Sequence, residues 1–220
     1  MFGIAARLKS IKKNLSKEIC LVAVSKTKSI AEIQQAYDAG QRIFGENKIQ
    51  EMADKFQEMP KDIKWHMIGH VQTNKVKYMA EFVDLIHGVE SFKLLKEINK
   101  QAKKHDRVID CLLQIKIASE DSKFGMSIPD ATTLLASKDF SALKNINVIG
   151  VMGMATFTED QNQIKQEFDL LKSTFDSLQK THPNLNTISM GMSGDYQLAI
   201  DCGSTMVRVG SSIFGARNYN

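Results

Sequence analysis

The sequence predicts a single (β/α)8 TIM barrel with an N-terminal helix, and three observations carry that expectation. Eight short apolar runs alternate with helical patterns along 220 residues, mostly joined by brief glycine-containing loops. The first run, Ile19-Cys20-Leu21-Val22-Ala23-Val24, is unbroken, as suits a strand buried on both faces of a parallel sheet. No G-x-G-x-x-G follows that strand and no P-loop spacing occurs, which leaves an open dinucleotide-binding sheet without its main support. No linker, low-complexity tract or repeat divides the chain, so residues 1–220 are expected to form one domain.

Ahead of the first strand, Ile4, Leu8, Ile11 and Leu15 fall at helical spacing and define an amphipathic helix. After Lys26, Ser29 caps a helix carrying Ile30, Ile33, Ala36 and Tyr37, and Gly40 ends it. Ile43-Phe44 is a very short second strand, followed by Gly45-Glu46-Asn47 and a helix through Glu51 to Phe56. Trp65 to Gly69 is the third strand, Thr73 to Ala80 a helix, and Phe82 to His87 the fourth strand. Leu94, Leu95, Ile98 and Ala102 mark a helix from Ser91 to Lys104, and Val108 to Ile117 a long fifth strand. A loop over 121–126 leads to a helix near Ile128 to Ser137 and then to the sixth strand, Ile146 to Met152. The longest helix runs from about Thr158 to Lys180 and stops before Pro183. Thr187 to Met190, a short helix over Asp195 to Ile200, and Thr205 to Val209 complete the series.

Composition narrows the function. A net charge of +4 is small, acidic and basic residues interleave, and no basic stripe or aromatic platform recommends nucleic-acid binding. Arg7, Lys9, Lys12, Lys13 and Lys17 precede the first acidic residue, Glu18, but no long apolar stretch follows, so a secretory leader is not expected. No run approaches the length of a membrane span. Cys20, Cys111 and Cys202 are odd in number and two lie in apolar runs; they read as reduced, buried thiols of a cytoplasmic protein.

In a barrel the strands' carboxyl ends supply the site. Lys26 stands after the first strand, either closing it into solvent or serving as a desolvated amine for Schiff-base chemistry. Glycine and serine recur in Gly191-Met192-Ser193-Gly194-Asp195 and Gly210-Ser211-Ser212, after strands seven and eight, where barrels often bind a phosphate on backbone N–H groups. Arg208 interrupts an otherwise apolar strand and must find a partner, protein or ligand. A lysine for an aldehyde, an anion nest and an arginine for a ring nitrogen together match pyridoxal 5′-phosphate. His66, His70 and His87 have no accompanying carboxylate spacing that would favour a metal. Lys116 would be the second lysine of a Schiff-base aldolase, or a solvated strand-end residue.

Several blocks carry a resemblance. Ala23-Val24-Ser25-Lys26-Thr27-Lys28, Phe44-Gly45-Glu46-Asn47-Lys48-Ile49-Gln50-Glu51 and Trp65-His66-Met67-Ile68-Gly69-His70-Val71-Gln72-Thr73-Asn74-Lys75 resemble the YggS/PROSC family of pyridoxal phosphate homeostasis proteins. So do Ser122-Lys123-Phe124-Gly125, Gly191 to Tyr196 and Val207 to Gly215. The family is related in fold to the barrel domain of alanine racemase. The resemblance implies that Lys26 forms the internal aldimine and that Ser193 and the N–H groups of Gly210 and Ser211 hold the phosphate. It also implies that Arg208 faces the pyridine nitrogen and that Asn47 contacts the ring or lies just behind it. The sixth-strand end, Val151 to Thr156, departs from the family's usual run, and no contact is assigned there.

The expected function is cofactor binding for pyridoxal phosphate homeostasis without significant turnover, by a monomer that passes the cofactor to acceptor enzymes. The alternative is an amino-acid racemase of the alanine racemase type. Racemisation needs an acid/base on each face of the Cα carbanion. The racemases take the second, a tyrosine, from a further domain, and none of Tyr37, Tyr78, Tyr196 and Tyr219 has an evident claim to that role. An arginine on the ring nitrogen also weakens the ring as an electron sink.

Overall fold

A computed structural model describes residues 3–120 and 124–216 and closes eight parallel strands, in chain order, into one barrel. The strands are β1 (Cys20–Val24), β2 (Ile43–Glu46), β3 (Lys64–Met67), β4 (Val83–Val89), β5 (Ile109–Gln114), β6 (Ile146–Met152), β7 (Thr187–Ser189) and β8 (Met206–Val209). β8 returns to β1 with Val22 opposite Arg208, so the ring has no open edge. The helices are α1 (Ile4–Asn14), α2 (Ile30–Asp38), α3 (Ile49–Glu58), α4 (Phe92–Lys104), α5 (Ile128–Ala136), α6 (Lys138–Ser141), α7 (Gln161–Gln179), α8 (Tyr196–Asp201) and α9 (Ser211–Phe214).

Alternation along the strands sorts side chains into two apolar layers. Val22, Leu85, Leu112, Met152 and Met206 form a small cluster inside the barrel. The larger cluster, with Phe44, Trp65, Leu95, Phe168 and Val207, lies between strands and helices. α1 buries Ile4, Leu8 and Ile11, as its spacing predicts, while Leu15 falls just beyond its end. Ser29 caps α2 in a reciprocal capping box with Glu32, and the side chains of Ser91 and Asp160 cap α4 and α7.

Differences from the expected elements have local causes. β2 extends through Gly45 and Glu46, because it pairs with β3 over all four residues, Ile43 with Lys64 through Glu46 with Met67. The long fifth strand is shorter than expected: at Ile115 the chain bridges to Met126 instead. The expected helix over Thr73–Ala80 is a 3-10 helix, Thr73–Tyr78, without a side-chain cap. α6 and α9 are four-residue helices with too little periodicity to be read from sequence. Ser122, Lys123 and Tyr219 lie outside the described residues. Among the described residues no helix is long and apolar enough to cross a membrane, and Cys20, Cys111 and Cys202 carry free thiols.

One glycine is fixed by packing. In β6 the register skips Ile149, a bulge that sets Gly150 opposite both Leu112 and Thr187. A Cβ there would lie 1.8 Å from the Thr187 carbonyl oxygen, which cannot move without parting β6 from β7. Gly150→Ala is expected to destabilise the barrel by on the order of 3 kcal/mol, lowering the unfolding temperature by roughly 6–12 °C. Thermal unfolding followed by circular dichroism checks this; an unchanged midpoint would mean that the two strands can separate freely.

Candidate functional site

At the carboxyl end of the barrel lies a cavity of about 600 Å3, within the usual range for small-molecule sites. Its wall includes Lys26, Asn47, Ser193, Arg208, Gly210 and Ser211, the six residues that the sequence singles out. Each comes from a strand end or the turn after it. Lys26 follows β1, Asn47 follows β2, Ser193 lies between β7 and α8, Arg208 belongs to β8, and Gly210 and Ser211 follow β8.

The loops after β7 and β8 are tied together. The Gly210 amide donates to Ser193 Oγ at 3.0 Å, which leaves the serine's own proton for another acceptor. Gly191 holds φ +95, where any side chain is strained and a Cβ would also meet Ala199 at 2.6 Å. Asp195 accepts from the Met192 amide at 2.5 Å, closing the turn into α8.

Arg208 is 4 % exposed and is held from two sides. One terminal nitrogen donates to Ser189 Oγ at 2.6 Å and the other to the Gly153 carbonyl at 3.1 Å. Burial pulls its pKa down to about 10, against the opposing pull of Asp195, so the guanidinium remains charged at neutral pH. Behind it runs a buried polar chain. Ser189 Oγ lies 3.0 Å from His87 Nδ1, His87 Nε2 lies 3.1 Å from His66 Nδ1, and His66 Nε2 lies 3.5 Å from the Asp84 carboxylate. Arginine only donates, so the Ser189 proton is free for His87, and each imidazole then donates onward toward Asp84. Burial holds both histidines below the ordinary imidazole range, with His66 and Arg208 adding repulsion at His87. The chain therefore joins a cation to an anion through two neutral rings, and it fixes the guanidinium plane at the cavity floor.

Asn47 Oδ1 is buried and has no hydrogen-bond partner in the protein. Such an acceptor at a cavity wall suits a ligand hydroxyl, because an orphaned buried carbonyl is costly. Gly69 packs against the same residue: a Cβ there would lie 2.4 Å from the Asn47 carbonyl oxygen.

Sequence reasoning assigned no contact to several lining groups. Gln114 is buried and donates to the Phe124 carbonyl at 3.0 Å. His70 stacks on Phe124, ring centroids 4.5 Å apart, and pairs with Glu90 at 3.1 Å. Met154, Ala155 and Thr156, from the run that departs from the family pattern, line the cavity as well. Glu167 of α7 holds that run by accepting from the Thr156 amide at 2.6 Å and its hydroxyl at 2.7 Å. Lys116 is exposed beyond the end of β5 and is not among the lining residues.

Fold and sequence define the class. The family model "Alanine racemase, N-terminal domain" matches residues 3–218. An alanine racemase of Clostridium difficile, solved with cycloserine, superposes with a TM-score of 0.82 at 14% identity over 99% of this chain and 60% of that one, which is a likeness of fold. A pyridoxal phosphate homeostasis protein of Pasteurella multocida strain Pm70 is 38% identical over 213 residues, 94% of this chain and 91% of its own length. The Escherichia coli K12 protein of the same name is 36% identical over 93% of this chain and 88% of its own. PipY of Synechococcus elongatus, solved with pyridoxal phosphate bound, superposes with a TM-score of 0.87 at 33% identity over 96% of this chain and all of that one. The chain belongs to the family of pyridoxal phosphate homeostasis proteins.

Proposed function

We propose that this protein binds pyridoxal 5′-phosphate in the barrel-end cavity and serves its intracellular homeostasis, without sustained turnover of its own. The observation that carries the reading is the convergence of Lys26, Arg208 and the two Gly/Ser loops on one cavity. The residues fit the group. Ser193 and the turn over Gly210 and Ser211 offer donors to the phosphate, the Arg208 guanidinium a donor to the ring nitrogen, and Asn47 Oδ1 an acceptor for the ring hydroxyl. Lys26 would hold the bound cofactor through its primary amine, and the group would supply the aldehyde with which such an amine condenses, losing water.

Absence of turnover is supported by the site's own chemistry. A second acid/base is needed for racemisation, and among the described residues lining the cavity there is no tyrosine. A guanidinium facing the ring nitrogen, rather than a carboxylate, would disfavour ring protonation and the electron-sink character that amino-acid chemistry uses. We further infer a cytoplasmic monomer that yields the cofactor to acceptor enzymes; the three free thiols favour a reducing compartment.

Cofactor-loaded protein assayed against a library of L- and D-amino acids, with a Lys26→Ala control, tests the reading. No turnover above the control is expected, and steady turnover lost in the control would identify a racemase or related enzyme instead. The phosphate is expected to dominate retention. Ser193→Ala removes a charge-assisted hydrogen bond of about 1.5–3 kcal/mol, so titration should show binding weakened roughly 10- to 150-fold. Pyridoxal without the phosphate should bind poorly to the unaltered protein, and equal affinity for the two would remove the case for an anion nest.

A further inference from the structure

The turn that carries Lys26 is held from behind by an array that does not line the cavity. Lys55 of α3 spends its three protons on the Ser25 carbonyl at 2.8 Å, Glu46 at 2.8 Å and Glu51 at 2.7 Å. Ser25 Oγ donates to the same Glu46 oxygen at 2.6 Å, and the Thr27 amide donates to Glu51 at 2.5 Å. Both neighbours of Lys26 are thus fixed from α3, one through Lys55 and one through Glu51, while the Lys28 amide closes the turn on the Ser25 carbonyl at 3.0 Å.

The arrangement is costly in its own right. Thr27 is β-branched and sits at φ 64, the left-handed region such residues avoid. Glu46 is fully buried with one oxygen lacking any partner. Desolvation raises the pKa of its carboxyl, against the pull of Lys55 and Ser25. Buried ion pairs add little net stability over apolar packing, so stability does not explain the array. Fixing residues 25 and 27 sets where the side chain of Lys26 enters the cavity, whose wall also takes Lys28 from the end of the same turn.

We propose that Glu51 and Lys55 are positioning residues that hold the Lys26 turn so that its amine is presented to the cofactor's aldehyde. The inference rests on the reading of Lys26 as the Schiff-base lysine. An amine held near the carbonyl reacts as if at high local concentration, and a loosened turn forfeits that advantage without altering the rest of the pocket.

Three variants are compared: Glu51→Ala, Glu51→Gln and Lys55→Met. Seating without the covalent bond is read with pyridoxine 5′-phosphate, which has a hydroxymethyl group in place of the aldehyde. In Glu51→Ala and Lys55→Met, Schiff-base formation should slow by about tenfold or more, while affinity for pyridoxine 5′-phosphate stays within about twofold. Glu51→Gln, which keeps an acceptor for the Thr27 amide, should recover most of the rate. Formation at the unaltered rate in Glu51→Ala overturns the proposal, as does a parallel loss of pyridoxine phosphate binding and thermal stability. If Lys55→Met does not fold, Glu51→Ala decides alone, since Glu51 is partly solvent-exposed. Borohydride reduction of the unaltered protein that labels a lysine other than Lys26 overturns the underlying reading instead.

Discussion

Lys26→Ala is expected to abolish the yellow Schiff-base absorbance of the loaded protein while leaving the fold in place. The residue follows β1 at the cavity wall and is half-buried, and the turn around it is held through the backbone of Ser25 and Thr27. Removing that side chain should therefore leave the unfolding temperature of the cofactor-free protein within about 3 °C. The phosphate donors are untouched, so the variant should still take up pyridoxal phosphate reversibly and in its free-aldehyde form. Borohydride reduction followed by peptide mapping supplies the direct assignment, with the label on Lys26 in the unaltered protein and none in the variant. A label on Lys116, or on Lys123 outside the described residues, would move the covalent site off β1.

Much of this architecture is legible in the sequence, and the illegible parts share a physical cause. An unbroken run such as Ile19–Val24 has one economical fate, a strand covered on both faces, and eight such runs separated by helices leave few topologies but the barrel. Strand ends then follow, and with them the placement of Lys26, Asn47, Ser193, Arg208, Gly210 and Ser211 around one cavity. Side-chain partnerships across the barrel do not follow from local pattern. His66, His87, Ser189 and Arg208 come from four different strands, and nothing local signals that they line up as a single chain. Glu46 illustrates the same gap. In sequence it belongs to a polar loop, Gly45-Glu46-Asn47, yet pairing with β3 draws it into β2, where Lys55 and Ser25 make its burial tolerable. The run Met154-Ala155-Thr156 reaches the cavity because Glu167, eleven residues beyond Thr156, anchors it, a long-range bond with no short-range signature.

Arg208→Glu is expected to strike stability and cofactor electronics together. The guanidinium makes two hydrogen bonds from a buried position on the cavity wall, to Ser189 and to the Gly153 carbonyl. A glutamate would remove both donors and set a carboxylate among acceptors, the Gly153 carbonyl first among them. Losing one partner of a buried charged network costs about 3–5 kcal/mol, equivalent for a chain of this size to a fall of roughly 6–20 °C in unfolding temperature. Two adjustments are open to the variant. The introduced carboxylate can take a proton and donate to Gly153, or Ser189 can turn its hydroxyl toward the carboxylate and release His87, whose ring would then be free to gain a proton. Either adjustment breaks the one-way chain from Arg208 to Asp84. On the cofactor side, a carboxylate at the ring nitrogen favours its protonated form, whereas the guanidinium disfavours it, so the absorbance of the loaded variant should shift and respond to pH differently from the unaltered protein. Arg208→Gln separates the two effects: it restores a neutral donor, should recover part of the lost stability, and places no negative charge near the ring. Binding by Arg208→Glu with an unaltered spectrum and pH response would mean that the guanidinium turns toward Ser189 and Gly153 alone, and that the ring nitrogen finds its partner elsewhere on the cavity wall.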